Sequence, residues 1–314
     1  MNHSLRSLLA FCGSAALGFL SLPAHAIVAS DTLLSGDEVS YLDAIAHLTL
    51  TRSDGTFACS GSLLAGGAYV LTAAHCVSGG DGDETTSKIT LSWNGGEVTA
   101  TSSTYYVAPG WDGDLAEGND LALIALSTPV TGIDGYQLYL DSALGSTVLV
   151  AGYGLTGTGE EGATGSAGRL YYGYNQYDAG LRYYSSRGIS SAVYLYDFDD
   201  GTRSTSQFGS TGLTSLEEVI IAPGDSGGAS LLFSEEDWYL VGVHSFIACS
   251  GNGCATDSSF GTYAGDSSVY GQLGWLQSYL VTAVPEPGSY AMLLAGLGLL
   301  GPFRRRRATA VPSR

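Results

Sequence analysis

The hexapeptide Pro223-Gly224-Asp225-Ser226-Gly227-Gly228 decides how the chain is read. Three glycines around one serine let the backbone turn tightly and aim successive amides at one point. A serine hydroxyl on such a turn is a candidate nucleophile. The amides of Gly224 and Ser226 are candidate donors to an oxyanion, each worth roughly 3 kcal/mol of transition-state stabilisation. A hydroxyl alone is a poor nucleophile and needs a base, plus a carboxylate to orient that base. Two segments nearer the amino terminus supply them. Residues 70–76, VLTAAHC, form an apolar strand ending in two small alanines before His75, the candidate base. Residues 118–126, GNDLALIAL, put Asp120 at the head of an apolar strand. A charged carboxylate is costly to bury there without a hydrogen-bonded partner, and His75 would be that partner. Singly, each segment has a plainer reading: a structural histidine, an Asn-Asp turn, a glycine-rich turn.

The rest of the 314 residues favours an all-β body. Glycine (45) and tyrosine (20) are abundant while charged residues make up only 13%, a balance that suits short strands and turns. Apolar runs at 44–50, 62–71, 89–93, 121–126 and 147–151 have the length and spacing of strands in a barrel or sandwich. A second set lies at 169–174, 192–196, 229–233 and 239–244. Glycine-rich residues 152–168, between the sets, read as a long connecting loop. The tyrosine-rich segment 171–184 reads as strand surface. A helical recurrence of Leu273, Leu276, Tyr279 and Leu280 predicts one terminal helix over 270–281, and 73–77 is expected to make a short turn.

Residues 1–26 hold Arg6, an apolar run over 8–22 and Pro23-Ala24-His25-Ala26, the pattern of a cleaved signal peptide. The mature chain would begin at Ile27 in an oxidising compartment. Without Cys12 it keeps Cys59, Cys76, Cys249 and Cys254, an even number that implies two disulfides. Of three connectivities, Cys59–Cys76 with Cys249–Cys254 closes the shortest loops. Zinc fits the spacing poorly. Between 27 and 284, six basic residues face 29 acidic ones, a net charge near −23. Such a surface repels nucleic acid and anionic lipid. Asp197, Asp199 and Asp200 beside Gly201 lack the spacing of an EF-hand and read as a solvated acidic turn. Neither a metal nor a cofactor is expected.

Together VLTAAHC, GNDLALIAL and PGDSGG resemble the trypsin/chymotrypsin-like serine proteases, in that family's order of His, Asp, Ser. The resemblance extends to CSGSLL at 59–64, VGVHSF at 241–246, GTYA at 261–264 and the final helix, so it covers about 27–281. It implies two antiparallel β-barrels, about 27–151 and 152–283, with the site between them and a C-terminal helix. It implies His75 as general base and then acid, Asp120 as its orienting partner and Ser226 as the nucleophile for a protein or peptide substrate. Ser245 would help hold Asp120, Ser245-Phe246-Ile247 would pair with the substrate backbone, and Gly261 would border the pocket. A new amino terminus at Ile27-Val28 would pair with Asp225, so that signal removal itself activates. The chain departs from the pattern where well-known trypsins carry an acidic residue, here Ile220, and a frequent cysteine, here Ala222. Ile247 replaces a frequent glycine. A shallow apolar pocket for small or medium aliphatic side chains is expected. The rival is a catalytically silent, surface-displayed binding or matrix protein on the same fold.

After residue 283 come Val284-Pro285-Glu286-Pro287-Gly288, an apolar stretch over 290–300 and Arg304 to Arg307. This tail, 284–307, resembles the PEP-CTERM sorting signal of Gram-negative bacteria, leaving 308–314 as a short end. The resemblance implies an exosortase-type processing enzyme in addition to signal peptidase, cleavage near 285–287 and transient membrane contact. The destination would be the periplasm, the cell surface or the medium.

Overall fold

Alternation builds the first lobe. Along Ile45–Arg52 every second side chain from Ala46 to Leu50 is buried, and Ile89, Leu91 and Trp93 repeat the pattern. That period of two is the mark of strands with one face on a core. The computed structural model describes residues 27–283 except 54, 81–85, 94–97, 186–187, 210–211, 214–215 and 251–254. The predicted signal segment and sorting tail lie outside the described residues. Among those described, no helix is long and apolar enough to cross a membrane.

In chain order the strands are β1 (Ile27–Ala29), β2 (Leu34–Ser35), β3 (Ile45–Arg52), β4 (Gly55–Leu63), β5 (Tyr69–Thr72), β6 (Lys88–Trp93), β7 (Val98–Ser102), β8 (Tyr105–Val107) and β9 (Ala122–Ala125). There follow β10 (Gln137–Leu138), β11 (Thr147–Gly152), β12 (Thr156–Thr158), β13 (Gly162–Ala163), β14 (Tyr171–Gln176), β15 (Ala179–Ser185) and β16 (Gly188–Asp197). The last are β17 (Val219–Ile220), β18 (Ala229–Ser234), β19 (Asp237–Cys249) and β20 (Thr262–Ser268). Helices are short: α1 (Ala74–Val77) and the terminal α2 (Leu273–Ala283).

Strands β3 to β9 make a seven-stranded antiparallel sheet in the order β7-β6-β3-β4-β5-β9-β8. The second lobe holds a nine-stranded sheet, β15-β16-β20-β19-β18-β11-β14-β2, with β10 parallel to β19. A four-stranded sheet, β13-β12-β1-β17, completes it. One core fills the first lobe and continues through Leu149, Ala151, Ala229, Leu231 and Val243 into the second. Another lies within the second lobe and contains Tyr177, Tyr194, Tyr196 and Phe198. Helix α2 packs back on the first lobe, where Tyr279 meets Tyr69 and Tyr106.

The fold is all-β as expected, with four local corrections. The predicted loop 152–168 contains β12 and β13, because β1 arrives from the amino terminus to pair parallel with β12 and antiparallel with β17. The predicted run 62–71 is a hairpin that turns at Gly66 and Gly67, both at positive φ. Sheet membership changes between β9 and β10, not near 151: β11 pairs with β14 and β18. The tyrosines of 171–184 are not all surface, since Tyr171 and Tyr177 are fully buried.

Candidate active site at the junction of the lobes

Strand β5 carries an apolar run into Ala73 and α1, which delivers His75 to the junction. Two devices fix that turn. A disulfide joins Cys76 to Cys59 of β4, 17 residues apart, a closure worth roughly 3 kcal/mol in the chain-entropy picture. Arg52, at the end of β3, donates from Nη2 to the carbonyls of His75, at 2.6 Å, and Cys76. The His75 ring remains partly exposed, while Asp120, just before β9, is wholly buried. The carboxylate takes three donors: the His75 amide on Oδ1 at 2.8 Å, His75 Nδ1 on Oδ2 at 2.7 Å, and Ser245 Oγ on Oδ2 at 2.5 Å. Ser245 lies on β19, so this one carboxylate ties the two lobes together.

The serine loop is locked against the same elements. Ser60 of β4 donates its amide to the Ser226 carbonyl at 2.8 Å and its hydroxyl to the Gly224 carbonyl at 3.0 Å. Gly227 packs so closely on β5 that a Cβ there would sit 2.1 Å from Thr72 Oγ1. The amides of Asp225, Gly227 and Gly228 are committed to the carbonyls of Ala222, His244 and Asp225. Those of Gly224, at φ 100°, and Ser226 donate to nothing among the described residues. Cys76 Sγ lies 3.6 Å from the Ser226 carbonyl oxygen and 4.0 Å from His75 Nε2, which brings serine and histidine to one place. No hydrogen bond joins Ser226 Oγ to His75 Nε2 among the described residues. Apo sites of this kind are often loose until a substrate is bound.

Asp225 points away from solvent into the second lobe. Burial pushes its carboxyl up to about 6, although the amides of Gly154, at 2.7 Å, and Ala222, at 2.9 Å, favour its charged form, as does the nearby His244. Ile27 is buried and pairs with Thr156, two residues beyond Gly154; among the described residues the Asp225 carboxylate takes its hydrogen bonds from Gly154 and Ala222 and not from Ile27.

The predicted substrate-side residues sit apart in kind. Ile220 is fully buried in β17, paired with Val28. Phe246 and Ile247 are half-buried on β19 opposite Gly265 and Ala264 of β20, and the other edge of β19 beyond His244 has no strand partner among the described residues. Gly261, at φ 90°, turns the chain into β20 and donates to the Phe198 carbonyl. Cys249 is disulfide-bonded, and its predicted partner Cys254 lies outside the described residues. The aspartates 197, 199 and 200 cap their own loop: Asp197 accepts from the Phe208 amide, Asp199 from the Gly201 amide, and Asp200 from Thr202 and Thr205. Sequence reasoning did not single out Arg52, Ser60, Glu218 or His244. A polar side chain inside a buried strand pattern was the available signal for Ser60 in β4 and His244 in β19.

An all-β fold with an imidazole, a buried carboxylate and a glycine-locked serine gathered where two lobes meet defines a class of serine hydrolase folds. The Trypsin family model matches residues 35–269, well over half of the chain, and the chain belongs to that family. The PEP-CTERM protein-sorting motif matches residues 283–308, so the tail carries an export-linked signal. Among solved structures the chain is similar to HL collagenase, with 22% identity and a TM-score of 0.54 over 80% of this chain and 97% of the other. It is also similar to the protease Anisep from Arthrobacter nicotinovorans, with 16% identity and a TM-score of 0.51 over 81% and 98%. Likeness at these identities is one of fold. The comparison with curated proteins gives no match.

Glu218 closes the acidic loop, accepting from the amides of Asp199 and Leu213. Burial pushes it up to about 7. A carboxyl raised on folding favours the protonated folded state, so its contribution is complete below its ordinary range and is lost as pH rises through about 7. Denaturant titrations at pH 5 and pH 8 should show the wild type losing on the order of 3 kcal/mol more than Glu218→Gln. Equal losses in both proteins would contradict this assignment.

Proposed function

We propose that the chain is an exported serine endopeptidase that cleaves peptide bonds through an acyl-enzyme. The observation that carries this reading is the buried Asp120 carboxylate, held by His75 Nδ1 at 2.7 Å and by Ser245, beside a serine loop with two uncommitted amides. His75 Nε2 takes the proton of Ser226 Oγ as that oxygen attacks the substrate carbonyl. Asp120 holds the ring in the tautomer that leaves Nε2 free for the task and stabilises the imidazolium. The amides of Gly224 and Ser226 receive the oxyanion. His75 then protonates the leaving amine, and water releases the acyl group by the same steps in reverse roles.

Substrate is taken along the free edge of β19, where Ser245, Phe246 and Ile247 lie one after another. With Ile220 buried, and with Ile247 in place of an open glycine, the pocket takes small or medium aliphatic side chains beside Gly261. Signal peptidase frees Ile27, whose new ammonium reaches Asp225. That charge offsets the burial that now raises the Asp225 carboxyl, and the pairing holds the serine loop in its working form. The sorting tail is then processed by an exosortase-type enzyme after transient membrane contact, leaving the protease at the surface or free.

Three outcomes are expected. A fluorophosphonate should label the mature protein, Ser226→Ala should abolish labelling, and Asp120→Asn should lower kcat about 10⁴-fold; a correctly processed wild type that is never labelled would instead be the silent binding protein. Adding two residues before Ile27 should cost about 100-fold in kcat/KM, and an extended chain with full activity would exclude activation by signal removal. In a peptide library, cleavage should follow Ala, Val or Leu, whereas a preference for Lys or Arg would defeat the apolar pocket.

A further inference from the structure

Under the serine loop a buried polar network lies beside the aromatic core of the second lobe. His244 of β19 is wholly buried, and its Nδ1 is 3.0 Å from Asp266 Oδ1 of β20. The Asp266 carboxylate also accepts from Tyr177 and Ser230, each at 2.6 Å on Oδ2, and from Tyr196 at 3.3 Å on Oδ1. Gly242 leaves the room through which the Tyr177 hydroxyl reaches it, since a Cβ there would stand 2.2 Å from that oxygen. Burial raises the Asp266 carboxyl, but the imidazole beside it and these donors outweigh that and hold it below the ordinary carboxylate range. The ionised carboxylate, itself held by three hydroxyls, therefore grips one edge of the imidazole.

The opposite edge of the ring faces the serine loop. A Cβ at Gly228 would lie 2.7 Å from His244 Cδ2, the atom bonded to Nε2, and Nε2 itself is buried without a hydrogen-bond partner among the described residues. The backbone of His244 is bound to that loop on both sides. Its carbonyl accepts from the Gly227 amide at 2.8 Å and its amide donates to the Gly228 carbonyl at 3.1 Å. The next residue, Ser245, is the one that holds Asp120. One rigid unit thus touches both the loop of the serine and the clamp of the carboxylate.

We propose that His244, anchored by Asp266, is a positioning residue that sets the Ser226 loop against the Asp120 clamp. This rests on reading Ser226 as the nucleophile. Side-chain packing on Gly228 fixes the height of the loop, and the paired backbone hydrogen bonds fix its register, so that Ser226 Oγ is offered to His75 in one orientation. His244 touches no substrate and exchanges no proton with it. Loosening the unit leaves binding intact and slows acylation, because small misplacements of a nucleophile are costly.

His244→Val keeps the strand and removes the imidazole, and Asp266→Asn keeps the shape and removes the charge. In mature protein, phosphonylation of Ser226 and kcat on a small ester should fall about tenfold in the first variant and about threefold in the second, with KM within about twofold of wild type. A merely structural role would lower the melting temperature and leave the folded fraction reacting at the wild-type rate, and that result overturns the inference. Should neither variant fold, wild-type protein labelled with ¹⁵N-histidine decides: the His244 ring resonances should move when Ser226 is phosphonylated, and unmoved resonances overturn it. A wild type that never reacts at Ser226 sinks the nucleophile reading itself. A reactive wild type with an indifferent His244 sinks only the positioning role.

Discussion

Asp120 is the interaction on which the arrangement depends. A carboxylate with no exposed surface must be matched by donors, and here they come from both lobes: the backbone and ring of His75 on one side, Ser245 on the other. Separating the lobes would strip the carboxylate of its Ser245 donor. The junction is therefore held by the same group that orients the imidazole, and closure of the molecule and assembly of the site are one event. The apolar core that runs from the first lobe through Leu149, Ala151 and Val243 adds area to that closure. It is non-directional, and the hydrogen-bonded carboxylate supplies the register.

The serine loop is built on the opposite principle, by the removal of side chains. Gly227 and Gly228 lie where a methyl group would meet Thr72 or His244 within 2.7 Å, and one at Gly224 would stand 2.8 Å from Gly154. These contacts let two strands of different lobes and one loop approach backbone to backbone. Most amides in the loop are then consumed by carbonyls, which leaves the Gly224 and Ser226 amides available by subtraction. A chain this rich in glycine loses much conformational entropy on folding. The close approaches explain why the loss is tolerated at these positions.

Legibility in the sequence followed locality. His75, Asp120 and Ser226 stood out because each is embedded in a short segment whose small residues or apolar run had a chemical reason to be there. Cys59–Cys76 followed from an even cysteine count and a short loop. Strand β3 and the terminal helix declared themselves by period. What escaped was non-local: β12 and β13 are polar and glycine-rich, and become strands only because the buried β1 arrives from more than a hundred residues away. Tyr171 and Tyr177 looked like surface because tyrosine carries a hydroxyl, yet Tyr177 spends it on Asp266. Arg52 gave no pattern at all, since its partners are backbone carbonyls that no side-chain periodicity reports.

The two lobes also differ in how they spend polarity, and the difference has a consequence for rigidity. Between its sheet strands the first lobe is filled by Leu48, Leu50, Leu71, Ile89, Leu91 and Trp93, whose packing fixes shape to the accuracy of interlocking side chains. The second lobe buries a carboxylate among three hydroxyls and an imidazole. Such a network tolerates few alternatives, because any shift leaves a donor or the charge unpaired in a dry medium. This arrangement makes displacement of β19 relative to β20 expensive, because His244 and Asp266 stand on those two strands. Since β19 carries both His244 under the serine loop and Ser245 on Asp120, the stiffness is placed at the strand whose movement would disturb both. The polar core of the second lobe is therefore better understood as a source of uniqueness than of stability.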